Sequence, residues 1–184
     1  MIYSLHPDVD HFLTFAINAD EAERVLGKDT TFHFDESPVS YASSWRPMEI
    51  EFYASSYKKV SALPDISQAN GRLFLNEKAF DALCQELESC GEFLPVTYKS
   101  GKGYLLNILT TADDALDAKL CTKNKWGDIT WMAFQEDKLP PQTLFRTEFD
   151  DYLSVFCRDS FRDQYESARL TGLIFSEDLS PTPP

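Results

Sequence analysis

Phe93-Leu-Pro-Val-Thr-Tyr-Lys99 and Tyr104-Leu-Leu-Asn-Ile-Leu109 are two apolar runs that flank Ser100-Gly-Lys-Gly103. Runs of this length around a glycine-rich turn predict a β-hairpin, because glycine adopts the backbone angles that tight reversals need. Just upstream, Asn76 is placed to cap a helix running to about Cys90. Phe80, Leu83, Cys84 and Leu87 recur there at i, i+3, i+4 and i+7, and Gly91 stops it. Arg72-Leu-Phe-Leu75 before that helix reads as a short strand, and Leu63-Pro-Asp65 as a rigid entry turn.

Working outward, His11 to Ile17 is rich in β-formers and predicts a strand. Asn18 caps a short acidic helix from Ala19 to Leu26, stopped by Gly27. Thr30 to Ser44 reads as loop, and Met48-Glu-Ile-Glu-Phe-Tyr53 alternates as a half-buried strand does. Toward the C-terminus, Ile129-Thr-Trp-Met-Ala-Phe134 predicts a strand with Trp131 in the core, ended by Pro140-Pro141. Leu144-Phe-Arg146 and Leu153 to Phe156 are two more short strands. Ser160-Phe-Arg-Asp163 resembles a capping box opening a final helix to Leu170, Gly172 ends it, and Leu173-Ile-Phe175 closes the fold. Hairpin strands with two or three helices and no regular βαβ alternation predict an α+β fold with a mixed, mainly antiparallel sheet. The expected organisation is a strand-helix-strand subdomain over residues 1–60, a main unit over 61–178, and a disordered tail over 179–184. All are expected to form one compact unit.

The chain has 184 residues, with 17 Lys and Arg against 30 Asp and Glu, hence a formal charge of −13. A pI near 4.5 argues against spreading over nucleic acid or docking on anionic lipid, since both need clustered Lys and Arg. An acidic surface attracts basic protein partners instead. Hydrophobic residues at 43% and 14 Phe place the chain far from disordered compositions. No basic and apolar leader opens the sequence and no apolar run approaches the length that spans a bilayer, so a cytoplasmic location is expected. Cys84, Cys90, Cys121 and Cys157 show no CxxC spacing and are expected to be reduced thiols.

Catalytic signatures are absent. Ser100-Gly-Lys-Gly103 lacks the helix that a phosphate loop requires. His6, His11 and His33 belong to no zinc-hydrolase motif. Asp113, Asp114 and Asp117, Glu136 and Asp137, Glu148, and Asp150 with Asp151 form acidic clusters. Solvated loops, a partner-facing patch and a metal site are the three readings of these carboxylates. Trp126 precedes Gly127-Asp128 beside Lys123 and Lys125, where it either anchors an interface or is partly buried.

The ordered pieces Leu63-Pro-Asp65, Leu73-Phe-Leu-Asn-Glu-Lys-Ala79, Glu92-Phe-Leu-Pro95, Gly103-Tyr-Leu-Leu-Asn-Ile-Leu109, Asp114-Ala-Leu-Asp117, Leu144-Phe-Arg146 and Thr171-Gly-Leu-Ile-Phe175 carry a resemblance. Over about residues 60–178 the chain resembles the bacterial immunity-protein family numbered eleven, neutralisers of polymorphic and type VI-delivered toxins. The resemblance implies a non-enzymatic protein, without catalytic residues or a cofactor, that binds and neutralises a cognate toxin. Charge then suggests a toxin with a basic surface, such as a nuclease acting in the cytosol, met through an interface of roughly 1,600 Å². The expected contacts are Asp113, Asp114, Asp117, Trp126, Asp128, Asp150 and Asp151. The competing expectations are a small metal- or His-dependent hydrolase using carboxylates or His33, and an acidic adaptor for another basic partner.

Overall fold

The computed structural model describes residues 1–55 and 59–181. In chain order its elements are β1 (Ile2–Pro7), β2 (Thr14–Ala16), α1 (Ala19–Leu26), β3 (Met48–Glu49), β4 (Glu51–Tyr53), β5 (Ile66–Ala69), β6 (Arg72–Asn76) and α2 (Glu77–Leu87). There follow β7 (Gly91–Tyr98), β8 (Gly101–Ile108), β9 (Thr122–Lys123), β10 (Ile129–Trp131), β11 (Leu144–Phe145), β12 (Val155–Arg158), α3 (Asp159–Ser167) and β13 (Leu173–Ser176). The fold is α+β. One sheet has five strands in the order β3-β7-β8-β6-β5, and a second has four in the order β11-β12-β1-β13. Every pairing in these sheets is antiparallel except β3 with β7.

The β7–β8 hairpin forms as its pattern predicts, with Gly91 opposite Ile108 and Tyr98 opposite Gly101. The reversal falls at Lys99-Ser100, one step earlier than expected. Gly101 and Gly103 therefore lie inside β8. A Cβ on Gly103 would come within 2.5 Å of the Leu75 carbonyl on β6, so this glycine allows the two strands to approach.

Period-2 alternation divides the core into layers. Leu73, Leu75, Leu106 and Ile108 face α2 and α3, meeting Leu83, Leu87, Phe161 and Tyr165 together with Tyr3, Leu5 and Val155 of the second sheet. On the opposite face of the same strands, Phe74, Leu94, Val96 and Leu105 meet Phe15, Ala22, Val25, Phe32, Met48 and Ile50. Phe145 and Phe156 turn the other way from Leu144 and Val155, into a third cluster with Ala112, Ala115 and Met132.

Strand β1 sits between β12 and β13, and β3 extends the five-stranded sheet, so the first 60 residues are shared between both sheets. Neither β1 nor β5 is expected from sequence. The final helix begins at Asp159 rather than Ser160, whose hydroxyl instead shares a hydrogen bond of 2.8 Å with Thr143. Leu179 and Ser180 of the expected tail are buried, while residues 182–184 lie outside the described residues.

Two polar hubs tie the layers. Asp65 accepts from the Asn76 side chain at 2.9 Å, Lys78 Nζ at 2.8 Å, and the Thr171 amide at 3.1 Å. Glu92 accepts from the amides of Tyr41 and Ala42, the Ser40 hydroxyl and the Asn107 side chain. Burial alone would raise the Glu92 carboxyl, but these bonds together outweigh it and hold it below the usual range.

Phe74 is the aromatic hinge of the second layer, with ring centroids 6.2 Å from Phe15, 5.0 Å from Phe52 and 5.5 Å from Tyr98. Phe74→Ala should cost about 3–5 kcal/mol in urea unfolding. Unfolding should remain one transition when followed by tryptophan fluorescence and by far-UV circular dichroism. An early, separate transition of the N-terminal region would contradict the shared layering.

Candidate functional site

Asn70-Gly71 joins β5 to β6 with φ of 48° and 68°, the left-handed pair typical of a tight hairpin turn. The turn delivers Arg72 into the protein interior, where it is 2% exposed. Arg146, just past β11, is fully buried. A Cβ on Gly71 would lie 2.0 Å from the Tyr152 carbonyl and 2.8 Å from Arg146 Nη1, so only glycine fits between these groups.

The two guanidiniums hold the long 28–47 loop. Arg72 donates to the Asp35 carbonyl at 3.2 Å, lies 3.8 Å from the Glu36 carboxylate and stacks 4.1 Å from the Phe32 ring centroid. Arg146 donates to the Glu36 carbonyl at 2.7 Å, to the Tyr152 carbonyl at 3.4 Å and to the Ile108 carbonyl. Burial, then the neighbouring Arg72 charge, lowers the Arg146 pKa to about 10, which still leaves it cationic at neutral pH. A buried cation is tolerable only while such acceptors surround it.

On the far side of Arg146 lies a turn at residues 148–153. Asp113 Oδ1 accepts from the Thr147 hydroxyl at 2.8 Å and the Glu148 amide at 2.7 Å, which joins this turn to the Asp113–Ala115 single-turn helix. Asp151 and Tyr152 are consecutive left-handed residues at φ 55° and 61°, a conformation costing about 1–3 kcal/mol per non-glycine residue. The Arg146 bond to the Tyr152 carbonyl helps to hold it.

Between this turn and the 34–37 loop opens a cleft of about 630 Å³, lined by Phe34, Asp35, Glu148, Asp151, Tyr152 and Leu153 among others. Phe34 is 64% exposed and Leu153 45% exposed. The cleft thus presents two large apolar side chains between exposed carboxylates, a surface composition suited to a partner with basic and apolar groups.

The expected contact residues divide. Asp113, Asp114 and Asp151 are exposed, and the Asp113 bonds bring the 113–115 turn against the acidic rim. Asp150 does not belong with them. It is 5% exposed, its Oδ2 accepts from the Ser154 amide at 2.9 Å, and burial raises its pKa. Asp117, Trp126 and Asp128 lie on a hairpin arm built on β9 and β10. Asn124 Oδ1 accepts from the Trp126 and Asp128 amides, and its Nδ2 donates to Asp128 Oδ2. This leaves Trp126 74% exposed at a hydrogen-bonded tip. Trp131 is not core but 40% exposed, because a two-stranded arm leaves one of its faces uncovered. Lys123 Nζ sits 4.7 Å from the Phe149 ring centroid and fastens the arm beside the acidic turn.

Phe34 and Leu153 are missed by sequence reasoning, since nothing in their local pattern separates them from core residues. The Asn70-Gly71 dipeptide is a signal that reveals the turn beneath them. Among the described residues, no group of three or more His, Cys, Asp and Glu converges in a manner that holds a metal ion. His33 is half-buried with its ring edge-on to Phe34, and burial raises the Cys90 and Cys157 thiols.

Replacing Arg146 by Met should cost about 3–5 kcal/mol, since the carbonyls of Glu36, Ile108 and Tyr152 lose their donor. Thermal unfolding of the variant should move down by roughly 2–4 °C per kcal/mol. Asp150 makes a second, pH-dependent prediction. Its raised carboxyl favours the fold fully only below the ordinary carboxylate pKa, and that contribution is lost as pH rises through the folded value. Asp150→Asn keeps an acceptor for Ser154, and Asp150 supports the Arg146 charge less than Glu36 does. The variant should therefore be more stable than the parent at neutral pH, with the gain shrinking as pH falls toward 4. A gain that grows on acidification would contradict this.

Compared with protein-family models and with curated proteins, the chain matches none.

Proposed function

We propose that this chain is a bacterial immunity protein, one that binds a cognate toxin stoichiometrically and neutralises it without chemistry of its own. The observation that carries this reading is the acidic cleft at Phe34, Glu148, Asp151 and Leu153, exposed yet built on a buried arginine pair. Its carboxylates steer a basic surface into place, and its two apolar side chains supply contact area once water is expelled. Because the rims are held in place before binding, little ordering entropy is lost on association. The resemblance of residues 60–178 to the immunity family supports the same reading. The pieces that carry it include Asp65, Glu92, Asn107, Arg146 and Thr171, all of which form structural hubs rather than a reaction centre.

On this reading the toxin has a basic surface and acts in the cytosol, as a nuclease does, and the immunity protein meets it there. Among the described residues, no helix is long and apolar enough to cross a membrane.

The test is co-expression of the tagged chain with the product of the neighbouring open reading frame. A complex should survive purification, restore growth to cells making the neighbour, and weaken as salt is raised. Glu148→Lys with Asp151→Lys should weaken it by at least about tenfold, equivalent to about 1.4 kcal/mol. A harmless neighbour that does not co-purify would overturn the immunity reading. A complex indifferent to the double reversal would remove this cleft from it.

A further inference from the structure

The hairpin arm carries the wrong charge for a basic toxin. Lys119, Lys123 and Lys125 are three of the chain's 17 basic residues and fall within seven positions of each other. The arm's own carboxylates are engaged locally: Asp117 accepts from the Lys119 amide at 3.1 Å, and Asp128 from the Asn124 side chain at 2.8 Å. Around these lysines stand Trp126 at 74% exposure, with Lys125 Nζ 4.2 Å from its ring centroid, and Leu120 at 61%. This basic and apolar patch is complementary to the acidic and apolar cleft of the same chain. The two share an edge, because Lys123 rests on Phe149, the residue next to Glu148.

A patch that holds both members of a complementary pair side by side is what a two-fold interface requires, since each half then meets the other half of its partner. We infer that a second copy of this chain docks here, with the Trp126 arm of each copy lying in the Phe34–Leu153 cleft of the other. Trp126 fills the apolar part of the cleft, and Lys123 and Lys125 face Glu148 and Asp151. The net charge of −13 opposes association only weakly. The centres of two such chains stand about 30 Å or more apart, several times the Debye length of about 8 Å at physiological salt. Local attraction across the contact is screened far less. The consequence that toxin and second copy exclude one another rests on the reading above, but the dimer itself does not.

Sedimentation velocity on the purified chain alone tests the inference, over concentrations up to roughly 100 µM. The wild type should show a concentration-dependent dimer, and Trp126→Ala should weaken it by about 30-fold. Lys123→Glu with Lys125→Glu gives an arm and a cleft that are both acidic, and Glu148→Lys with Asp151→Lys makes both basic. Each variant alone should be monomeric. Mixed in equal amounts they should form a heterodimer, because both contacts are then attractive, and this recovery also shows that both variants are folded. A wild type that stays monomeric throughout, variants that dimerise as tightly as wild type, or a mixture that stays monomeric would overturn the inference. None of these outcomes depends on whether the chain meets a toxin.

Discussion

Two buried guanidiniums, Arg72 and Arg146, set the geometry on which the candidate site depends. Neither is a surface charge that happens to be covered; Arg146 is fully buried and Arg72 nearly so. Transferring such groups from water costs several kcal/mol each unless acceptors replace the solvent. The acceptors here are the Glu36 carboxylate and the carbonyls of Asp35, Glu36, Ile108 and Tyr152, drawn from segments far apart in sequence. Meeting that need closes the 28–47 loop and the 148–153 turn onto the end of the five-stranded sheet. The two rims of the cleft are therefore consequences of one electrostatic requirement.

The same requirement explains why strain persists beside an exposed surface. Asp151 and Tyr152 occupy left-handed backbone without being glycine, and a side chain at Gly71 would collide with the Tyr152 carbonyl. The Arg146 bond to that carbonyl, with the turn's own backbone bonds, helps to hold this conformation. What the strain achieves is placement: Leu153 and the Asp151 side chain stand out toward solvent while Asp150 turns inward. The charge that makes the surface acidic and the buried carboxyl that would destabilise it are adjacent residues with opposite roles.

The parts of this architecture legible in the sequence are those governed by local periodicity. The α2 stripe and the alternation of β7 and β8 follow from spacing, and Asn76 caps α2 as its position suggests, accepting from the Ala79 amide at 2.9 Å. Strands β1 and β5 were not legible because they are buried on both faces yet carry polar residues. Ser4, His6, Ser67 and Gln68 are all buried, so neither strand shows the alternation of a half-buried one. The candidate site was legible only in its charge. Asp113, Asp114 and Asp151 can be found as an acidic run, but Asp150 cannot be told from Asp151 until the backbone turns between them. Phe34, Leu153 and Trp131 are exposed because of what fails to cover them, which is a property of the tertiary fold and not of their neighbours in the chain.

Amide hydrogen exchange probes most directly the claim that this cleft is the binding surface. The chain would be compared alone, at a concentration where it is monomeric, and with the product of its neighbouring open reading frame. Slowed exchange should concentrate in residues 34–37 and 148–153, the two segments held by the buried arginines. Protection confined to another face, with both of these segments unchanged, would contradict it.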